Sequence, residues 1–124
     1  MSSIEQNTKN SGGDKAAAQA QMRKGVLELC ILSILSKGDA YPTEIIDQLR
    51  VTKLVVVEGT LYPLLTRLKN TGLLAYRWEE SNSGPPRKYY KLTEEGELYL
   101  KELQFSWKEM VEAVNQTIEN GKKL

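Results

Sequence analysis

The chain has 124 residues, with 17 lysines and arginines, 16 aspartates and glutamates, one cysteine and no histidine. This length predicts one domain, or one domain plus an appendage, and a single cysteine excludes an intramolecular disulfide framework. The absence of histidine removes the commonest general base and zinc ligand, so we expect no enzyme, no metal site and no cofactor.

Hydropathy and the distribution of charge further limit the class of protein that the sequence can encode. No stretch has the ~18 apolar residues of a membrane span, and the N-terminus lacks the apolar core of a signal peptide, so a cytoplasmic protein without a membrane partner is expected. Residues 41–93 hold eight Lys/Arg against five Asp/Glu, whereas residues 94–124 hold four Lys against seven Glu. The basic excess in the middle of the chain is compatible with a nucleic-acid partner.

The N-terminal third divides into a polar stretch and an apolar one. Residues 1–15 are rich in Ser, Asn, Gly, Gln and Lys and are predicted to form a disordered tail. Residues 16–22 have high helix propensity and can extend the next helix backwards. Residues 25–37 are apolar on nearly all sides, which predicts a helix covered by its own domain and by a second subunit. We expect a DNA-binding domain over residues 16–93.

A short helix is predicted next. Thr43 follows Pro42 as the expected N-cap of a helix over residues 44–50, and residues 51–57 connect it to the following helix. Two short helices joined in this way are typical of a helix-turn-helix with a somewhat long turn.

The sequence EGTLYPLLTRLKNTGLL at residues 58–74 predicts the second helix of this motif. The helix is expected to start between Val57 and Gly59, so that Pro63 falls in or near its first turn, and to end at Gly72. Four leucines recur at helical spacing and form the predicted inner face: Leu61, Leu64, Leu65 and Leu68.

The other side of this helix is polar and cationic. Its candidate DNA contacts are Thr60, Tyr62, Thr66, Arg67 and Lys69. We expect Thr60 and Tyr62 to meet base edges or the nearest phosphates, and the two cations to contact the DNA backbone. The ordinary alternative is a solvated helix face. Thr43 and Lys53 are weaker candidates, since Thr43 already has a structural reason as a cap.

Alternating apolar residues over positions 74–79 predict a strand, residues 81–86 a turn, and residues 87–92 a returning strand. This hairpin is the expected wing. Arg87 and Lys88 are predicted to lie along phosphates or enter the minor groove, unless they only solubilise the hairpin. Four aromatic residues are interpreted as hairpin packing rather than base-stacking groups: Tyr76, Trp78, Tyr89 and Tyr90.

The last helix, within residues 94–124, is predicted to begin after Thr93 as its N-cap. Apolar residues then alternate steps of three and four: Leu100, Leu103, Trp107, Met110 and Val114. This seam, on a helix of about 25 residues, predicts dimerisation. The expected fold is therefore mainly α (α+β), a winged helix-turn-helix with a long C-terminal dimerisation helix.

Three segments and the Trp107-bearing helix carry a family resemblance: LELCILSIL at residues 27–35, EGTLYPLLTRLKNTGLL at 58–74 and SGPPRKYYKLTEEG at 83–96. Together they resemble the PadR family of bacterial transcriptional regulators, in its smaller branch with a single short C-terminal helix. The resemblance implies a homodimer through the first and last helices, usually a repressor, on a double-stranded DNA operator of two half-sites. The alternative is a winged-helix protein-interaction module without specific DNA binding.

The resemblance also implies release by a small aromatic effector. In a dimer, two copies of Trp107 would flank such a molecule, with Phe105 and Met110 as candidate neighbours. On general grounds, a tryptophan on an apolar helical stripe is more often part of a packed core, and the resemblance raises the effector interpretation to an equal alternative.

Overall fold

The computed structural model describes the backbone of residues 2–120 and the side chains of residues 14–120. The elements follow in the order α1 (Ser2–Leu35), α2 (Pro42–Val51), α3 (Glu58–Asn70), β1 (Leu74–Ser81), β2 (Gly84–Leu92) and α4 (Glu94–Asn120). The described part is mainly helical with one antiparallel hairpin. It is a winged helix-turn-helix, and the predicted fold class is confirmed.

Helix α1 is longer than the sequence predicts. Its backbone is helical from Ser2, which differs from the disordered tail predicted for residues 1–15. Residues 16–22 include four alanines, the best helix former, and therefore favour continuing the helix backwards. The side chains of residues 14–25 are all exposed, so this segment makes no contribution to the core of its own domain.

The core lies between the first three helices, the root of the hairpin and the start of α4. Its most completely buried side chains are Ile31, Leu32, Ile45, Leu49, Leu61, Leu65 and Leu68. Burial of each of these side chains contributes about 1.5–3 kcal/mol of transfer free energy. Three leucines of the predicted inner face of α3 are buried as expected, and the fourth, Leu64, is half-buried at the edge of the core.

The start of α2 corrects the predicted cap. Pro42 is the first helical residue and Tyr41 occupies the cap position, so Thr43 lies inside the first turn with its side chain exposed. The backbone N–H of Tyr41 instead donates to Glu44 Oε1 at 3.1 Å. Proline is favoured at the first helical position because it has no N–H to leave unpaired there, and it moves the helix start one residue ahead of Thr43.

The end of α2 has an unusual residue. Lys53 has φ +67°, the left-handed conformation that glycine most often supplies after a helix. Its N–H donates to Arg50 O at 2.9 Å, and the next N–H, of Leu54, donates to Leu49 O at 2.9 Å. These two bonds close a Schellman motif, and a lysine in this conformation costs about 1–2 kcal/mol relative to a relaxed backbone.

Helix α3 starts within the predicted range, at Glu58, and Pro63, expected in or near the first turn, falls in the second turn. The Gly59 carbonyl consequently has no N–H donor four residues later. The predicted stop at Gly72 agrees with the structure, since Gly72 has φ +85° and the N–H of Leu73 donates to Leu68 O at 3.0 Å. The end of the helix is thus better defined than its start, where Val57 gives no side-chain cap.

The hairpin pairs Leu74 with Leu92 and Tyr76 with Tyr90, in the predicted alternation. The predicted six-residue turn over 81–86 is wrong, because β1 runs to Ser81 and β2 starts at Gly84, leaving a two-residue connection. The two prolines at 85 and 86 lie within β2. Both strands of a two-stranded ribbon are edge strands, where a missing N–H need not break a ladder.

Helix α4 is joined tightly to the end of α3. Thr93 accepts a hydrogen bond from the Gly96 N–H at 3.0 Å, as its predicted capping role requires. Its hydroxyl also donates to Gly72 O at 2.6 Å, and its N–H donates to Leu73 O at 3.1 Å. Packing continues across the boundary predicted between residues 93 and 94, because Gly96 and Leu100 are buried against the domain.

Candidate nucleic-acid interface

The exposed residues of α3 form two sides. Tyr62, Thr66 and Lys69 follow one another at helical steps of four and three, and Lys69 Nζ lies 5.6 Å from the ring centroid of Tyr76 on β1. This side of α3 therefore faces the hairpin. Thr60 and Arg67 are seven residues apart on the other side, towards α1.

Arg67 is engaged with α1 in the structure. Its Nη2 lies 3.5 Å from Glu28 Oε1, and both residues line a cleft between α1 and α3 together with Thr60. The five polar residues of α3 that the sequence predicts as one DNA-contacting set are thus divided by the helix between its wing side and its α1 side.

The hairpin presents an aromatic face to α3. Lys88 Nζ lies 4.3 Å from the Tyr76 ring centroid and 5.2 Å from that of Trp78, and the two rings are nearly perpendicular at 6.3 Å. Neither Lys69 nor Lys88 forms an ion pair with any of the described side chains. We call the combined area the α3–wing surface, formed by Tyr62, Thr66, Lys69, Tyr76, Trp78 and Lys88.

Tyr90 lies beneath this surface. It is buried, and its ring centroid is 5.7 Å from that of Tyr76. Burial raises the pKa of the Tyr90 hydroxyl, and the neighbouring Tyr76 and Tyr62 hydroxyls raise it further. The aromatic side chains of Tyr76 and Tyr90 thus connect α3 to both strands. The uncharged Tyr90 lies beneath the cations of the surface.

The opposite face of the hairpin has a different chemistry. Arg77 forms ion pairs with Asp39 and Glu79, and the Arg77–Asp39 hydrogen bond raises its guanidinium pKa further. Arg87 lies 4.4 Å from the ring centroid of Tyr41. Because successive strand residues point to opposite faces, Arg87 and Lys88, both predicted wing contacts, lie on opposite faces of the hairpin.

The other two predicted DNA contacts lie outside the α3–wing surface. Thr43 is exposed on the first turn of α2. Lys53 is exposed in the turn between α2 and α3. Both positions lie within the helix-turn-helix, but not on the side of α3 that faces the wing.

Sequence reasoning missed two kinds of residue. The crest of α3, opposite its buried leucines, carries Gly59, Pro63 and Asn70, which the helical angle from the leucine stripe would have identified. The prediction also assigned Tyr76 and Trp78 to hairpin packing. Trp78 is 61% exposed although large, and only the fold shows that its strand face borders α3.

The candidate effector residues on α4 are not gathered at one place. Trp107 is 43% exposed, and it lines a cleft of about 100 Å³ with Met110 against residues 25–29 of α1. Phe105 lies about 160° around the helix from Trp107, by the ~100° turn per residue of an α-helix. Within one protomer, Phe105 therefore cannot join a site formed by Trp107 and Met110.

Other chemistries find no support in the part of the chain that the structure describes. Its side chains form no cluster of three or more residues able to hold a metal ion. None of its helices is long and apolar enough to cross a membrane. Burial raises the pKa of the Cys30 thiol, which disfavours the reactive thiolate.

A helix-turn-helix whose second helix borders an aromatic and cationic wing defines the class of winged-helix DNA-binding proteins. Residues 31–102 match the transcriptional regulator PadR-like family. A PadR-like transcription factor of Bacteroides fragilis is 60% identical, with 81% of this chain and 97% of that chain covered and a TM-score of 0.68.

Two further solved structures are also similar to this chain. A PadR family transcriptional regulator of Eggerthella lenta is 32% identical over 90% of this chain and 97% of its own, with a TM-score of 0.83. A PadR-like transcriptional regulator of Bacillus cereus is 39% identical over 79% and 96%, with a TM-score of 0.72. The chain belongs to the PadR-like family of transcriptional regulators, and it is a regulator rather than an enzyme.

Proposed function

We propose that this regulator is a cytoplasmic, sequence-specific repressor that acts as a homodimer on a two-half-site operator and responds to a small aromatic ligand. The observation that carries the DNA-binding part is the α3–wing surface. Tyr62 and Thr66 offer hydroxyl groups suited to base edges, while Lys69 and Lys88 offer cations suited to phosphates. The two lysines are free of carboxylate partners among the described residues.

The remaining predicted contacts enter the proposal with narrower roles. Thr43 and Lys53 lie within the helix-turn-helix, away from the wing side of α3, and would meet phosphates beside the groove. Arg87 would meet phosphate from the outer face of the wing, where it stacks on Tyr41. Arg67 and Thr60 would meet the backbone on the α1 side, and for Arg67 this requires exchanging the long contact with Glu28 for a phosphate.

The homodimer is supported by an apolar stripe on α4 that the described residues of the protomer leave largely exposed. We call it the α4 stripe, formed by Trp107, Met110, Val111, Val114 and Ile118, each at least 36% exposed. A groove of about 810 Å³ between α1, α2 and α4 is lined by Leu29, Ile34 and Trp107 among others. An exposed stripe of this length beside an open apolar groove marks a protein interface.

The ligand response is proposed at the same interface. Trp107 is half-exposed, and in a two-fold dimer each copy would meet its symmetry mate or a flat molecule between them. A ligand that favours one separation of the α4 helices would favour one separation of the two α3 helices, and so change operator affinity. Met110 shares the cleft of Trp107 and would contact the same ligand.

The test of DNA recognition is fluorescence anisotropy with labelled DNA from upstream of the protein's own gene and with a random duplex, each at two salt concentrations. We expect a preference of roughly 1,000-fold or more for an operator, and affinity that falls steeply with salt. Thr66→Ala should lower this preference, whereas Lys69→Ala should weaken both complexes alike. Lys101→Ala, on an exposed position of α4, is the matched control.

Equal and weak binding to both duplexes would contradict autoregulation and direct the search to other operators or to a protein partner. Transcription from the bound promoter, measured with and without protein, then separates a repressor from an activator. Sedimentation of the protein alone tests the homodimer independently of DNA.

The two tryptophans allow the ligand and DNA responses to be separated. Trp78 lies on the α3–wing surface and Trp107 on α4, so Trp78→Phe leaves Trp107 as the reporter of ligand, and Trp107→Phe leaves Trp78 as the reporter of DNA. A panel of planar aromatic compounds should quench Trp107 in the first variant. Quenching that persists in Trp107→Phe would overturn the proposed ligand position.

A further inference from the structure

The N-terminal half of α1 borders α3 on the side away from the wing. A groove of about 510 Å³ separates residues 20–27 of α1 from the turn before α3 and from the first turns of α3. Its rim carries Arg23 and Lys24, and none of the described residues that line it is a carboxylate. We call it the α1–α3 groove.

The groove is continuous with the part of α3 that projects furthest from the core. Gly59 and Pro63, on the crest of the helix, line it together with Thr60. Lys24 also lines the neighbouring cleft, where Arg67 lies beside Glu28. Cations thus flank α3 on both sides, with Lys69 and Lys88 towards the wing and Arg23 and Lys24 towards α1.

Two facts indicate that this part of α1 has a role outside its own domain. The side chains of residues 14–25 are all exposed, so the core does not require them. Their charged residues are Asp14, Lys15, Arg23 and Lys24, an excess of two positive charges. The floor of the groove is apolar, with Val26, Leu27 and Val56 among its lining residues.

This arrangement fits a sugar–phosphate backbone. A helix in the major groove, which is ~12 Å wide, has a phosphate backbone on each side. The wing would face one of them, and the α1–α3 groove would face the other. Cations on the rim suit phosphates, and the apolar floor suits the deoxyribose carbons between them.

We propose that Arg23 and Lys24 contact the DNA backbone across α3 from the wing, so that α1 is part of the DNA-binding surface. This inference deepens the proposed function and rests on α3 entering the major groove. The contacts carry no sequence information, so they raise operator and random-DNA affinity equally.

The test compares the full-length double variant R23A/K24A with the unaltered protein by fluorescence anisotropy over a series of salt concentrations. We expect the slope of log affinity against log salt to become shallower by about two, since each lost phosphate contact removes about 0.9. The ratio of operator to random-duplex affinity should stay unchanged. K91A/K101A removes two other exposed cations and should leave the slope as it is.

Charge-retaining R23K/K24R should keep the slope of the unaltered protein, which separates loss of charge from loss of helix. An unchanged slope in R23A/K24A would overturn the inference. So would a shift of the monomer–dimer equilibrium without a change in slope, because the segment would then belong to the protein interface. The slope is measurable on random DNA, so failure of the operator preference would contradict the proposed function without deciding this inference.

Discussion

The two ends of α4 differ in how they are held. Its first turn is fixed from several directions, by the hydroxyl and N–H of Thr93 and by the contact of Gly96 with the backbone of Leu73. From residue 104 to residue 120 every side chain is exposed. Helix α4 thus begins packed against the core, and from residue 104 its side chains are exposed.

The difference suggests how this regulator connects its two proposed sites. Thr93 is bonded to Gly72 and Leu73, the residues that end α3, so the direction of α4 is set by the end of α3. The hydrogen bonds of Thr93 are thus the contacts through which a change in the direction of α4 would reach the end of α3. The exposed end of α4, in contrast, has no comparable hydrogen bonds to the rest of the described residues.

The largest expected effect comes from disrupting the close packing at the start of α4. A Cβ at position 96 would lie 2.2 Å from Leu73 O, a backbone atom that cannot move without separating α4 from α3. We expect Gly96→Ala to lower the free energy of unfolding by about 3 kcal/mol, the upper range for overpacking. Urea unfolding followed by circular dichroism measures this change.

Gly25→Ala is the matched control, since a Cβ at Gly25 meets nothing within 4 Å. This substitution should raise stability by about 0.5–1 kcal/mol, because alanine in an exposed helix is favoured over glycine. Equal effects of the two substitutions would mean that the contact of Gly96 with Leu73 does not hold α4.

The second effect concerns the exposed end. Val114→Glu places a carboxylate in the α4 stripe and should weaken the proposed dimer by roughly 100-fold, or about 3 kcal/mol, through the cost of burying a charge. Sedimentation velocity over a concentration series measures the dissociation constant. The fold of the protomer should persist, because Val114 contributes nothing to the core.

Gln116→Glu adds the same charge on the opposite side of α4, about 160° away by the helical turn per residue. It should leave the dimer intact. A dimer that tolerates Val114→Glu would show that the α4 stripe is not the interface, and the extra length of α4 would then need another partner.

A smaller effect is expected at the cap. Thr93→Ala removes the hydroxyl that bonds both Gly72 O and the Gly96 N–H, and should cost about 1–2 kcal/mol of unfolding free energy. Thr93→Ser keeps both hydrogen bonds and should cost far less. If α4 responds to a ligand through this junction, Thr93→Ala should also reduce the effect of the ligand on DNA affinity while leaving ligand affinity nearly unchanged.

The sequence was sufficient where local rules decide the structure. The leucine stripe of α3, its stop at Gly72, the strand alternation and the Thr93 cap all follow from periodicity and backbone chemistry. The prediction from sequence failed where two local signals for a helix start or a turn compete. Pro42 and Thr43 both mark a helix start, and the proline took precedence; the prolines at 85 and 86 read as a turn but are tolerated in an edge strand.

The candidate site was harder to predict because it depends on which faces of the helices and of the hairpin pack against one another. Residues of α3 that look equivalent in the sequence are separated when α1 lies on one side and the hairpin on the other, so Arg67 meets Glu28 while Lys69 meets Tyr76. The Lys88 cluster with Tyr76 and Trp78 joins residues ten or more positions apart, which no periodicity within one strand reveals.

The smallest expected effect is at Phe105, on the exposed part of α4. Phe105 is 63% exposed and lies opposite the α4 stripe, so Phe105→Ala should change the free energy of unfolding by less than about 0.5 kcal/mol, as is usual for an exposed position. Dimer affinity and ligand quenching of Trp107 should also remain. Trp107→Ala, in contrast, should weaken the dimer. Loss of ligand binding in Phe105→Ala would mean that the ligand reaches both sides of α4, which requires a site assembled from a second protomer rather than the cleft of Trp107 and Met110.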